Sequence, residues 1–190
     1  MSEETTANAV RGRGIGALFF TGFGALWLVL GLYAREQLSA LALVLVASAT
    51  AVLAAGAAWL IAKAKRLPQV EADARMGRVF GWINLVQWTA VGVVAYSFAR
   101  LHIDAYVMSA ITAIVGAHML PLARLFRYKM HYVTGAVLMA WAAASVFLFP
   151  AERLQGATAL GTGAILWASA MVTVMLAVAR VRAGMEMAKG

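Results

Sequence analysis

The chain has 190 residues, 63% of them hydrophobic and 13% charged, with a formal net charge of +8. Soluble domains carry about 25% charged residues, so this composition supplies too little polar surface to cover the chain in water and predicts an integral membrane protein. With no cysteine present, disulfides, zinc–thiolate sites, iron–sulfur clusters and thiol nucleophiles are excluded.

A membrane-crossing helix needs about 20 mainly apolar residues for a hydrocarbon layer of roughly 30 Å. Six stretches meet that requirement, at about 14–34, 38–62, 79–99, 105–123, 133–149 and 157–179. They predict an all-α, six-helix transmembrane bundle that forms one membrane domain, with a tail at 1–13 and another at 180–190. The first stretch does not read as a cleavable leader, because Glu3 and Glu4 precede it, it exceeds a 7–15-residue apolar region, and Arg35-Glu36 follows it. The second span ends in Lys63, Lys65 and Arg66, and a polar connection, 67–73, leads to the third. The fifth is short and stops at Pro150, which cannot continue a helix without losing a backbone hydrogen bond.

The charge sorts by side. Arg11, Arg13, Lys63, Lys65, Arg66, Arg75, Arg78, Arg124, Arg127, Lys129, Arg180, Arg182 and Lys189 fall on one face, and only Arg35, Arg100 and Arg153 on the other. Basic loops are retained in the cytoplasm, so both termini are predicted cytoplasmic in a multi-pass protein of a bacterial inner membrane. The net charge is then a record of topology. Nothing else in the sequence supports nucleic-acid binding, and the expected partners of the basic face are the bilayer and its anionic headgroups, with a homo-oligomer or a membrane partner as further possibilities.

Each outer connection pairs an arginine with an acid: Arg35 with Glu36, Arg100 with Asp104, Arg153 with Glu152. This implies three helical hairpins of one design. The last two align at an offset of 53, with Trp88 on Trp141, Arg100 on Arg153 and Arg127 on Arg180. Close-packed membrane helices favour small residues four apart. The rows Ala47-Ala51-Ala55 and Thr50-Ala54-Ala58-Ala62 therefore predict that the second helix is central, while Gly77 and Gly81 form a single GxxxG. The layout of six short-looped helices in three hairpins is similar to that of the HdeD-like small membrane proteins; that resemblance implies a stress-response role associated with acid resistance and assigns no residue.

No Asp, Glu, Lys or Arg lies inside any expected span, which disfavours carboxylate-driven pumps and a retinal Schiff base. Read this way, His118 is the only histidine within a span, with His102 and His131 at opposite faces, so a bis-histidine haem is not expected. No Gly-x-Ser-x-Gly element or metal-ligand cluster occurs, and the reading is of a non-enzyme without cofactor or metal. The remaining polar cluster is Asn84 and Gln87, three apart on the third helix, with His118 on the antiparallel fourth, each of Asn84 and His118 about 9 Å from the basic face. Trp88 stands next to it. Asn84, Gln87, Trp88 and His118 are the candidate ligand-binding residues of a small transporter or facilitator for a neutral or apolar solute. The alternative is that they only join two helices in a non-transporting structural, stress-response or complex-subunit protein. Pro121 leaves the Ala117 carbonyl without its helical donor. Ser109 and Thr112 are expected to bond back to their own helix. At the outer face Arg100, His102 and Asp104 form a candidate gate. Trp59 and Trp82 fit an interfacial belt, whereas Trp27, Trp88, Trp141 and Trp167 fall near mid-membrane, where an indole N–H needs a partner.

Overall fold

The computed structural model describes residues 7–66 and 74–187; Glu3 and Glu4, the 67–73 connection and Lys189, which the sequence reading used, lie outside the described residues. Among the described residues six helices follow in order: α1 (Ala7–Ala34), α2 (Ala40–Ala64), α3 (Ala74–Arg100), α4 (Val107–Leu125), α5 (Met130–Leu148) and α6 (Ala151–Met187), with a 3₁₀ turn, Asp104–Tyr106, before α4. All six are long and apolar enough to cross a membrane. The chain is an all-helical, six-span integral membrane protein. The helices outrun the apolar stretches: α1 begins at Ala7 and carries Arg11 and Arg13, and α6 extends well past both ends of 157–179. Helical hydrogen bonding does not stop where apolarity does.

Three of the helices end in the same way. After α1, the Gln37 N–H donates to the Leu32 carbonyl at 2.9 Å and Glu36 N–H to Tyr33 at 3.0 Å; Ile103 to Phe98 and His102 to Ala99 repeat this after α3, and Tyr128 to Ala123 and Arg127 to Arg124 after α4. These are Schellman terminations, whose penultimate residue is left-handed. The φ values of Glu36, His102 and Arg127 are 56°, 56° and 48°. Ser39 then opens α2, its hydroxyl accepting the Ala42 N–H at 3.2 Å.

The central helix is α6, which packs against α1, α2, α4 and α5; α2 and α3 lie at the two sides. The expectation that α2 is central is corrected. Ala47, Ala51, Ala55, Ala58 and Ala62 are exposed, and only Ala57, Leu60 and Ala64 of α2 are buried. Gly77 and Gly81 also face outward, with open space where a Cβ would stand. The close contact is instead between α1 and α6, and its spacing is seven. Val10, Ala17, Gly24 and Gly31 on α1 face Ala177, Ala170, Gly163 and Gly156 on α6, all buried. A Cβ on Gly163 would lie 2.8 Å from the Gly24 carbonyl oxygen, and one on Gly156 would lie 3.2 Å from that of Gly31. A seven-residue repeat keeps one seam in contact along a left-handed pair, and small side chains let the backbones meet. The α4–α5 pair has a similar close approach, where a Cβ on Gly135 would stand 2.6 Å from the Gly116 carbonyl oxygen.

Candidate functional site: a hydroxyl seam between α4, α5 and α6

A second face of α6 carries Thr158, Thr162, Ser169 and Thr173, spaced 4, 7 and 4 and therefore on one side of the helix. All four are buried, as are Ser109 and Thr112 of α4 and Thr134 and Ser145 of α5. Thr112 and Thr162 hydroxyls are 2.8 Å apart, Ser109 is 3.2 Å from both Ser145 and Thr158, and Thr134 donates to Ser169 at 3.0 Å. The Tyr128 hydroxyl donates to Thr173 at 3.3 Å. Ser109 and Thr112 thus bond across to other helices, which corrects their assignment to their own.

The direction of these bonds follows from where each proton is used. Thr162 gives its proton to the Thr158 carbonyl at 2.8 Å, so Thr112 donates to Thr162. Ser145 gives its proton to the Ala142 carbonyl at 2.9 Å, so Ser109 donates to Ser145, and Thr158 is left to donate to Ser109. The short chain Thr158, Ser109, Ser145, Ala142 is consequently ordered. From Thr158 to Thr173 the hydroxyls span about 22 Å of α6 at 1.5 Å per residue, in two groups, Thr158 with Thr162 and Ser169 with Thr173; at the outer end of the helix the Gln155 amide donates to the Asp104 carbonyl at 2.8 Å.

Two of the mid-membrane tryptophans brace this arrangement. Trp141 donates to the Thr158 carbonyl at 3.0 Å and Trp167 to the Thr21 carbonyl at 3.1 Å. Trp27 is buried in the core with Phe20 and Leu166. Trp88 stays 56% exposed, its ring 6.5 Å from that of Phe23.

At the basic end the seam reaches a histidine that the sequence reading placed at the membrane face. His131 is the second residue of α5 and is buried, its ring edge-on to Phe20 at 5.7 Å and to Tyr128 at 5.2 Å, with Phe126 at 6.2 Å. Arg13 lies over the Tyr128 ring at 5.4 Å. His118 is half-buried and bonds the backbone of Ile83 on α3. The Nδ1 atoms of His118 and His131 are both buried without a hydrogen-bond partner.

The other residues singled out from the sequence are placed as follows. The Asn84 amide donates to the Phe80 carbonyl of its own helix at 2.8 Å, and Gln87 is half-buried one turn further on. The structure therefore brings His118 to α3 through the Ile83 backbone, while Asn84 is turned to its own helix. On the outer face Arg100 lies over the Tyr96 ring at 5.9 Å, His102 holds the left-handed position that ends α3, and Asp104 opens the 3₁₀ turn. Among the described residues no group of three or more His, Asp or Glu side chains is arranged to hold a metal ion. The hydroxyl seam was readable as a 4-7-4 spacing on α6, but its partners depend on which helix lies against α4. No family model, curated protein or solved structure matches the chain.

Proposed function

We propose that this protein is a non-transporting component of the membrane, a fixed helical body that offers its outward α2 and α3 faces to lipid or to partner helices. The observation that carries this reading is the pairing of hydroxyls where α4, α5 and α6 meet: these helices are held together by ordered bonds, and α1 is locked on α6 by close approach at Gly24 and Gly163. Interhelical hydrogen bonds of this kind contribute about 0.6 kcal/mol each, up to about 1.7. Two indentations of the surface lie on outward faces of α1 and α3.

A second reading, movement of protons or a small polar solute, is favoured by the length of the seam and by the two unpartnered Nδ1 atoms at its basic end. Reconstitution separates the two. Purified protein in liposomes, loaded with a pH-sensitive dye and challenged with proton gradients and small neutral solutes, is expected to match empty liposomes, and purification in native membrane discs is expected to bring down a stoichiometric membrane partner. Flux above the empty control that Thr112→Val or His131→Leu abolishes would overturn the first reading and establish the second.

A further inference from the structure

The outward face of α1 carries a groove of about 420 Å³ lined by Ile15, Leu18, Phe19, Gly22, Phe23 and Leu26. Its middle is a notch at Gly22, where a Cβ would meet nothing within 4 Å. The Phe19 and Phe23 rings, stacked at 6.3 Å, form one wall, and Trp88 of α3 stands beyond Phe23. Residues 11, 15, 18, 22 and 26 share one stripe of the helix, so exposed Arg11 sits at the mouth of the groove on the basic face. Arg11 and Gly22 are about 16 Å apart along the axis. Half of a hydrocarbon layer of roughly 30 Å is about 15 Å, so the notch lies within reach of the acyl chain of a lipid whose phosphate meets Arg11, and the groove continues past it to Leu26.

We propose that this groove holds one anionic phospholipid from the leaflet at the basic face, its phosphate on Arg11 and an acyl chain along α1 to Gly22. Charge complementarity selects the occupant: exposed Arg11 stands where a phosphate of that leaflet would lie, and the wall below it, Ile15, Leu18, Phe19 and Phe23, is apolar as an acyl chain requires. The smaller indentation on α3, with Arg78, Gly81, Trp82 and Leu85, repeats the pairing of a basic residue with an outward glycine but holds only about 250 Å³. The inference stands whether or not the hydroxyl seam conducts.

Native mass spectrometry tests it on protein exchanged into nanodiscs of equal phosphatidylglycerol and phosphatidylethanolamine. The expected result is one retained phospholipid per chain, with phosphatidylglycerol favoured about fivefold, the ratio that about 1 kcal/mol for one surface basic residue gives. Arg11→Gln should bring that ratio to near one, and Gly22→Leu, whose side chain enters open space, should lower total retention. Gly92→Leu on the exposed face of α3, also in open space, should leave both unchanged. Equal retention of the two lipids in the unmodified protein, full retention in Gly22→Leu, or a preference lost in Arg78→Gln but kept in Arg11→Gln would overturn the assignment. So would a lipid-free dimer, which would put a second copy in the groove.

Discussion

Gly163→Ala tests the α1–α6 seam most directly. A methyl at Gly163 would stand 2.8 Å from the Gly24 carbonyl oxygen and 2.9 Å from the Leu28 backbone nitrogen. Neither atom belongs to a rotatable side chain, so the helices themselves must separate. Overpacking of this kind costs about 1–3 kcal/mol, while replacing glycine by alanine within a helix gains about 1 kcal/mol. Gly22→Ala supplies the reference, since it makes the same chemical change on the same helix pair and its methyl meets nothing within 4 Å. The helix gain is common to both variants and cancels. Gly163→Ala should therefore be less stable than Gly22→Ala by about 1–3 kcal/mol, between roughly fivefold and 150-fold in the unfolding equilibrium. Titration of unfolding with SDS from a fixed mild detergent, followed by tryptophan fluorescence, measures that difference. Equal midpoints for the two variants would refute the claim that backbone contact sets the seam.

Four further outcomes are expected. Thr112→Val removes the bond to Thr162 but leaves Thr162 donating to Thr158, so a double-mutant cycle with Thr162→Val should give a coupling of about 0.6–1.7 kcal/mol; zero coupling would remove the pair from the seam. His102→Gly relieves a left-handed residue at φ 56° and should stabilise by about 1 kcal/mol in a thermal melt, whereas destabilisation would give His102 a role beyond ending α3. Asn84→Leu, which deletes a side chain bonded to its own helix, should stay within about 0.5 kcal/mol of the unmodified protein; a loss several times larger in the same titration would place the amide against another helix or a ligand. A reporter fused to the C-terminus should fluoresce on the cytoplasmic side and one inserted between Glu36 and Gln37 should not, and the reverse pattern would invert the orientation drawn from the basic residues.

What could be read from the sequence was what depends on the bilayer alone. The number and placement of the six spans follow from the length of apolar runs, and Pro150 marks the end of α5 because its missing N–H acts locally. The readings that failed each required knowing a neighbour. The alanine rows of α2 match a four-residue template for close packing, yet alanine is common enough in this chain to make such rows on a face turned to lipid. The glycines of α1 and α6 carry the contact at a spacing of seven, a pattern visible in 24 and 31 and again in 156 and 163, but informative only when the two helices are set side by side. Ser109 and Thr112 were assigned to their own helix because that is the usual fate of a lone hydroxyl; the partner of Thr112 is Thr162, 50 residues away, and those of Ser109 are Ser145 and Thr158, 36 and 49 residues away. His131 does lie at the basic end of α5, but the burial of its ring among Phe20, Phe126 and Tyr128 depends on α1 and on the turn after α4.

These failures share a cause, which also explains why α6 is the central helix. In water the most apolar helix would be drawn inside, but lipid is as apolar as leucine and exerts no such preference. Selection for the interior then rests on fit and on hydrogen bonds that lipid cannot supply. On that criterion α2, with exposed Leu41, Val44, Leu45 and Val52, is well solvated where it is and has little to gain from burial. α6 offers two adjacent stripes, one of glycine and alanine for α1 and one of hydroxyls for α4 and α5, and can satisfy both only by standing between them. Ranking helices by small and hydroxyl-bearing residues on a shared face, rather than by apolarity, orders this bundle from the inside outward.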